Sequence, residues 1–323
     1  MTGRRIIWMV CACAVALATA AGCSVIRETP QSSDAQTQEV VVDPQPESEN
    51  SETQLANLYF GYKNEQLLVC ETREISVPVN ERNEIAVLKA LLKGPGNANA
   101  DYTKVINAQT KVVDVTENAG YLFVTLSKEF LLPPQDFDKV GMGENVRRYL
   151  AACSVINTLV EQGGYARIQL LVDRDDSGSG TPLVMSEMGL EGEDYAEPRG
   201  RNGEIILNSR NTLREIMSAL EMKDWNRLYG FVAYQDAADS ERPSLEEFKN
   251  KFTENTLTVS RGEVLDKVWQ TDPQEDKILI TYTIRIGEGE PQNKSNVPVT
   301  VIRENDMWKI QYSELVDVFL NAE

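Results

Sequence analysis

Apolar residues recur along this chain in two periods, every second position in some stretches and every third or fourth in others, and the switches between them mark its elements. NLYFGY (57–62) and QLLVCETREISVP (66–78) are rich in aromatic and β-branched residues and flank the polar turn Lys63-Asn64-Glu65, which predicts two strands. Asn83 then opens a helix with Ile85, Leu88, Leu91 and Leu92 at helical spacing, stopped by Gly94-Pro95. KVVDV (111–115) and YLFVTL (121–126) around the turn TENAG predict a hairpin. A long helix is expected from Glu144 to Gln162, with Val146, Tyr149, Leu150, Cys153, Ile156, Leu159 and Val160 on one face and Gly163-Gly164 at its end. The strands RIQLLVD (167–173) and PLVMS (182–186) follow, separated by a polar loop.

Between Met188 and Gly203 charge and glycine replace any apolar period, which predicts a linker. Beyond it, Leu213, Ile216, Met217, Leu220, Trp225, Leu228, Tyr229 and Val232 predict two helices broken near Lys223. SLEEFKNKF predicts a third, with Ser244 as N-cap and Glu247 three residues on, a capping box. TLTVSRGEVLDKVW, DKILITYTIRI, NVPVTVIRE and MWKIQYS then predict four strands. Helices gathered ahead of an antiparallel sheet make an α+β fold.

The N-terminus has a different pattern. Arg4 and Arg5 precede an apolar run from Ile6 to Ala21, and Ala20-Ala21-Gly22 leads into Cys23. A basic start, a short apolar core and small residues before a cleavage point describe a signal peptide. The run is about 16 residues, short of the roughly 20 a spanning helix needs. It resembles a bacterial lipoprotein signal, and the resemblance implies that residues 1–22 are removed and that Cys23 carries lipid, palmitate included. From Glu28 to Tyr62 there are seven acidic residues and no Lys or Arg, among Pro, Ser, Gln and Asn. Such a segment cannot bury enough apolar surface to fold, so residues 23–54 are expected to be a disordered tether. As a flexible coil it would reach about 30 Å.

Charge and missing residue types narrow the function. The formal charge is −18, and loss of residues 1–22 removes two arginines and no acid, giving −20. A surface so acidic is a poor partner for nucleic acid, whose binding rests on Lys and Arg. The chain has no histidine, which removes Ser-His-Asp and Cys-His nucleophile systems and histidine-ligated zinc. Beyond Cys23 only Cys70 and Cys153 remain. In an exported chain they could pair, or each could serve as a small buried apolar group.

Two stretches imitate binding motifs. In VLKALLKGPGN (87–97) Lys93 precedes the glycine and no Ser or Thr follows it, unlike a phosphate loop. The lysine also lies at a helix C-terminus, where the dipole favours cations. In DRDDSGSGT, Asp173, Asp175, Ser177 and Gly178 fit the first half of a calcium loop, but position 12 is Val184 and a strand leads in. A solvated hairpin tip is the better expectation, as it is for the acidic loop holding Asp236, Asp239 and Glu241.

Leu58 to Phe60, Ile75 to Pro78, Ala90 to Pro95, Tyr121 to Phe130 and Ser154 to Leu159 carry, in order, LYF, ISVP, ALLKGP, YLFVTLSKEF and SVINTL. Together these pieces are similar to a GerMN domain, the module of sporulation and spore germination lipoproteins. The resemblance implies a small α/β sandwich like the ring-building motifs of secretion assemblies, without catalytic residues or cofactor. The C-terminal part, with SLEEF and MWKIQY around Trp308, resembles the cone-shaped nuclear transport factor 2-like domains, in which Trp225, Tyr229, Phe231 and Trp269 could line a pocket or form core. The expected organisation is a signal peptide (1–22), tether (23–54), GerMN domain (55–190), linker (191–206) and cone-like domain (207–323). The expected role is non-catalytic, with no metal: a lipid-anchored protein on the outer face of the cell membrane, contacting envelope or sporulation proteins or its own copies. The alternative is capture of a small ligand or cell-wall fragment by the C-terminal cone.

Overall fold

The computed structural model describes residues 51–96, 101–236 and 240–321, apart from the side chains of 266–271. The expected signal peptide, Cys23 and the tether as far as residue 50 lie outside them, as do Asp239 and the side chain of Trp269. The described residues belong to one compact unit, Ser48–Glu323.

The first half has two small sheets. Strands β1 (Ser51–Tyr62) and β2 (Leu68–Pro78) form a long antiparallel hairpin, with Tyr59 opposite Cys70 and Ser51 opposite Pro78. Strand pairing therefore begins at Ser51, ahead of the expected boundary at 55, because Ser51 to Gln54 find backbone partners on β2. A two-residue strand, β3 (Tyr102–Thr103), completes the order β2-β1-β3. Helix α1 (Asn83–Leu92) lies against the hairpin. The second sheet has the order β4-β5-β6-β7, from β4 (Val112–Asn118), β5 (Tyr121–Ser127), β6 (Arg167–Asp173) and β7 (Thr181–Pro182). The expected strand at 182–186 is only this short β7, and a 3-10 turn follows at Met185–Met188.

Strands β5 and β6 are parallel and are joined through helix α2 (Glu144–Gly163), because parallel neighbours need a crossover. Gly164 ends α2 in the left-handed conformation, φ 67°, as the glycine pair predicts. An apolar stripe was expected on α2, yet every residue from Leu150 to Leu159 is buried. Its polar members are satisfied locally. Ser154 Oγ donates to the Tyr59 carbonyl at 2.5 Å, and the Tyr59 amide donates to Thr158 Oγ1 at 3.2 Å. The helix thus bonds backbone groups of β1 that β2 leaves unpaired. Arg147, fully buried, pairs with Glu144 at 2.7 Å and donates to the Val105 carbonyl at 3.0 Å. Gly189, φ 71°, brings the 3-10 turn so close to α2 that a Cβ there would stand 2.0 Å from the Asn145 carbonyl oxygen.

The second half sets helices on one face of an antiparallel sheet. Helices α3 (Ser209–Met222) and α4 (Trp225–Gly230) break at Lys223, as expected, and Asn208 and Asp224 cap their first amides. Helix α5 (Leu245–Glu254) carries the capping box of Ser244 and Glu247. The sheet order is β11-β10-β9-β8, from β8 (Thr258–Asp272), β9 (Glu275–Arg285), β10 (Gln292–Glu304) and β11 (Met307–Lys309). Strand β9 alternates strictly, turning Ile278, Ile280, Tyr282 and Ile284 inward. The last expected strand stops early. After β11 the chain enters helix α6 (Tyr312–Phe319), whose Leu315, Val318 and Phe319 are buried.

Candidate functional site

The stretches that imitate binding motifs serve the fold. Arg73 donates to the Ala90 and Gly94 carbonyls at 3.3 and 3.0 Å, so a cation already sits at the C-terminus of α1. Its guanidinium also pairs with Glu71 at 2.6 Å, and Glu71 accepts the Gly96 amide at 3.0 Å. The neighbourhood of Lys93 is therefore closed by an internal ion pair. In the DRDDSGSGT loop, the Asp173 carboxylate accepts the Ser177 and Gly178 amides at 3.1 and 2.9 Å, and Asp176 pairs with Lys128 at 2.5 Å. These carboxylates turn the loop, and among the described residues no group of three or more potential ligands converges on a metal position. Asp236 has a structural task that the sequence did not signal. It accepts the Ser313 amide at 3.0 Å and hydroxyl at 2.6 Å, at the open start of α6.

Cys70 and Cys153 are free thiols. Burial pushes each up to about 11, so both keep their protons at neutral pH. The aromatic residues of the second half pack on one another. Trp225 stacks on Phe252 at 5.5 Å, Phe252 meets Phe248 at 4.8 Å, and Phe248 meets Tyr229 at 5.2 Å and Tyr312 at 6.0 Å.

The strongest concentration of buried charge lies where the halves meet. Asp101, beside β3, pairs with Lys309 of β11 at 2.9 Å and Lys63 at 3.2 Å, while the Tyr234 hydroxyl lies 3.3 Å away. Asp101 is 3% exposed and Lys309 2%. Burial alone would raise the Asp101 carboxyl, but the Lys309 and Lys63 ammonium groups hold it below the usual carboxylate range. Lys309 is itself lowered by burial, which outweighs its attraction to Asp101. Both groups are lowered, which favours the charged form of Asp101 and disfavours that of Lys309, because Asp101 has two cationic partners, whereas Lys309 also feels the like charge of Lys63.

Around this cluster, the Tyr62 hydroxyl donates to the Gly230 carbonyl at 2.8 Å, and Arg227 reaches Glu65 at 2.9 Å as well as Glu215. Residues 191–206, expected as a linker, are bonded to strands of the first half. Arg199 bonds both ways to Ile168 of β6 at 2.8 and 2.9 Å, and Leu207 and Ile205 bracket Leu68 of β2 at 2.8 and 2.7 Å. A cleft of about 570 Å3 opens beside Asp101, with Lys63 and Lys104 next to Phe137 and Val140. The buried ion pair of Asp101 and Lys309 joins the segment beside β3 to β11.

The model of the Germane family, described as sporulation and spore germination, matches residues 57–176. This segment is a GerMN domain. The match begins within β1 and ends just after β6, so it contains α1, α2 and the hairpin pieces that carry the sequence resemblance. Among solved structures, the chain is similar to the tandem GerMN domains of the sporulation protein GerM from Bacillus subtilis, with 17% identity and TM-score 0.34 over 48% of each chain. It is also similar to the first GerMN domain of that protein, with 19% identity and TM-score 0.26 over 40% of this chain and 93% of the other. The chain thus spans about half the length of the tandem structure. Comparison with curated proteins gives no match. No helix among the described residues is long and apolar enough to cross a membrane.

Proposed function

We propose that this is a non-catalytic envelope lipoprotein, anchored through Cys23 on the outer face of the cell membrane, that works as a protein-protein interaction and assembly module in sporulation or spore germination. The link to sporulation and germination comes with the GerMN domain. The observation that carries the assembly reading is the filled interior of the second half. The space a small ligand would need among Trp225, Tyr229 and Phe231 is taken by Phe248, Phe252 and Tyr62. Outer surfaces, not that interior, are then available to a partner. The ion cluster at Asp101 fixes the second half on the GerMN domain, so a partner would meet both as one surface.

Anchoring and assembly are tested separately. Cys23→Ala is expected to move the protein from the membrane fraction to the soluble fraction and to abolish labelling by palmitate. The mature protein, examined by sedimentation velocity and by pull-down from sporulating cells, is expected to self-associate or to retain a defined envelope protein. A strictly monomeric protein with no partner overturns the assembly reading.

A further inference from the structure

A cavity of about 860 Å3 lies away from the junction cluster, between α2 and the segment that follows the 3-10 turn. Its floor includes Tyr149 and Cys153 of α2, and Tyr195 and Arg199 stand on the opposite side. Arg199 cannot swing freely at its root, because its backbone is paired in both directions with Ile168. Its side chain has no carboxylate partner among the described residues. Nη2 rests 3.5 Å from the Met185 sulfur, a weak acceptor, and Nε is buried without a partner. The nearby arginines differ: Arg201 is paired with Glu161 at 2.7 Å, and Arg167 donates to the Pro198 carbonyl at 3.4 Å.

A guanidinium held in place and left uncompensated attracts a planar anion, and carboxylate matches its fork. The acidic rim restricts which anion. Glu191, Asp194 and Glu197 also line the cavity, are exposed, and pair with no described cation. They repel a dianion and attract an ammonium. Tyr195, 67% exposed, offers an aromatic face at the mouth, and the volume exceeds what one amino acid fills.

We propose that this cavity binds a short peptide with free ends, its carboxylate on Arg199 and its ammonium toward the acidic rim. The site is independent of the assembly reading, which rests on the other half of the molecule. Peptides of this kind come from protein breakdown or from the D-amino-acid stems of the cell wall, and the two sources differ in chirality.

Isothermal titration of the purified full-length protein with L-Ala-L-Tyr and with D-Ala-D-Ala tests the site. At least one dipeptide is expected to bind saturably, and which of them binds reports the source. Amidating its carboxyl end or acetylating its amine is expected to weaken binding about tenfold each, the cost of one charge-assisted contact. Arg199→Gln should weaken it about as much. Tyr195→Ala, at an exposed position, should weaken binding while leaving thermal unfolding unchanged, which separates loss of the site from loss of the fold. Absence of saturable heat from both dipeptides overturns the proposal, and so does equal binding of the amidated or acetylated peptide.

Discussion

In the GerMN domain the central helix carries polar groups into the core: Arg147, Ser154, Asn157 and Thr158 of α2 are all buried. In the second half the sheet meets its helices through Ile278, Ile280, Tyr282 and Ile284, with the Tyr282 ring against Phe319 of α6 at 5.1 Å. Both halves place helices against antiparallel strands, yet the first interior carries more buried polar side chains and the second relies more on packing, with bonds such as Tyr282 to the Val318 carbonyl at 2.7 Å. A bonded interior needs particular residues at particular positions, since each buried donor or acceptor must find a partner. A packed interior needs volume and period, which many side chains can supply. This accounts for the GerMN domain announcing itself in ordered sequence pieces while the second half has little signature.

Substitutions can test that contrast, and the junction between the two interiors should respond most. Lys309→Met removes the most buried cation from Asp101, leaving Lys63 beside it, and is expected to cost about 3–5 kcal/mol in urea unfolding. The double variant Asp101→Asn with Lys309→Met should recover much of that loss, since no charge is then stranded. The pH dependence has a definite sign. The Asp101 carboxyl is held low in the folded protein, so its contribution is complete above its unfolded value of about 3.9 and is lost as pH falls through the lower folded value. Asp101→Asn should therefore flatten the loss of stability in acid.

Within the GerMN domain, Gly189→Ala places a methyl group against the Asn145 carbonyl at a positive φ and should cost about 3 kcal/mol, read from the same denaturation curves. Ser154→Ala removes one buried bond to β1 and should cost about 1–2 kcal/mol. In the second half, Ser244→Ala removes the cap of α5 and should cost about 1 kcal/mol. If Ser154→Ala proved neutral, the bonded core would be no more demanding than the packed one, and the contrast would fail.

Much of this was legible in advance for local reasons. The strict alternation of β9, the Ser244-Glu247 box and the Gly163-Gly164 stop each sit within a few residues of what they determine. Helix α6 was missed because Trp308, Ile310 and Tyr312 favour strand, although Leu315, Val318 and Phe319 already had helical spacing. The hydroxyls of Ser154 and Thr158, one turn apart in an apolar helix, were a usable sign of a bonded core. The junction left no such sign, since Asp101 and Lys309 are 208 positions apart and each alone looks like surface charge. Arg199 was equally opaque, set in a stretch whose glycine and charge suggested a linker, and only its pairing with Ile168 places it at a cavity.

The bonds from Ser154 and Thr158 to Tyr59 also bear on how copies of this protein can join. A strand flank with open amides and carbonyls is a template for another chain's backbone. With the Tyr59 groups already taken by α2, a visiting strand cannot zip along that flank of β1 without first dislodging the helix. Growth by continuous strand addition is thereby blocked at this point, and any union of copies through the GerMN domain has to use another edge or a face.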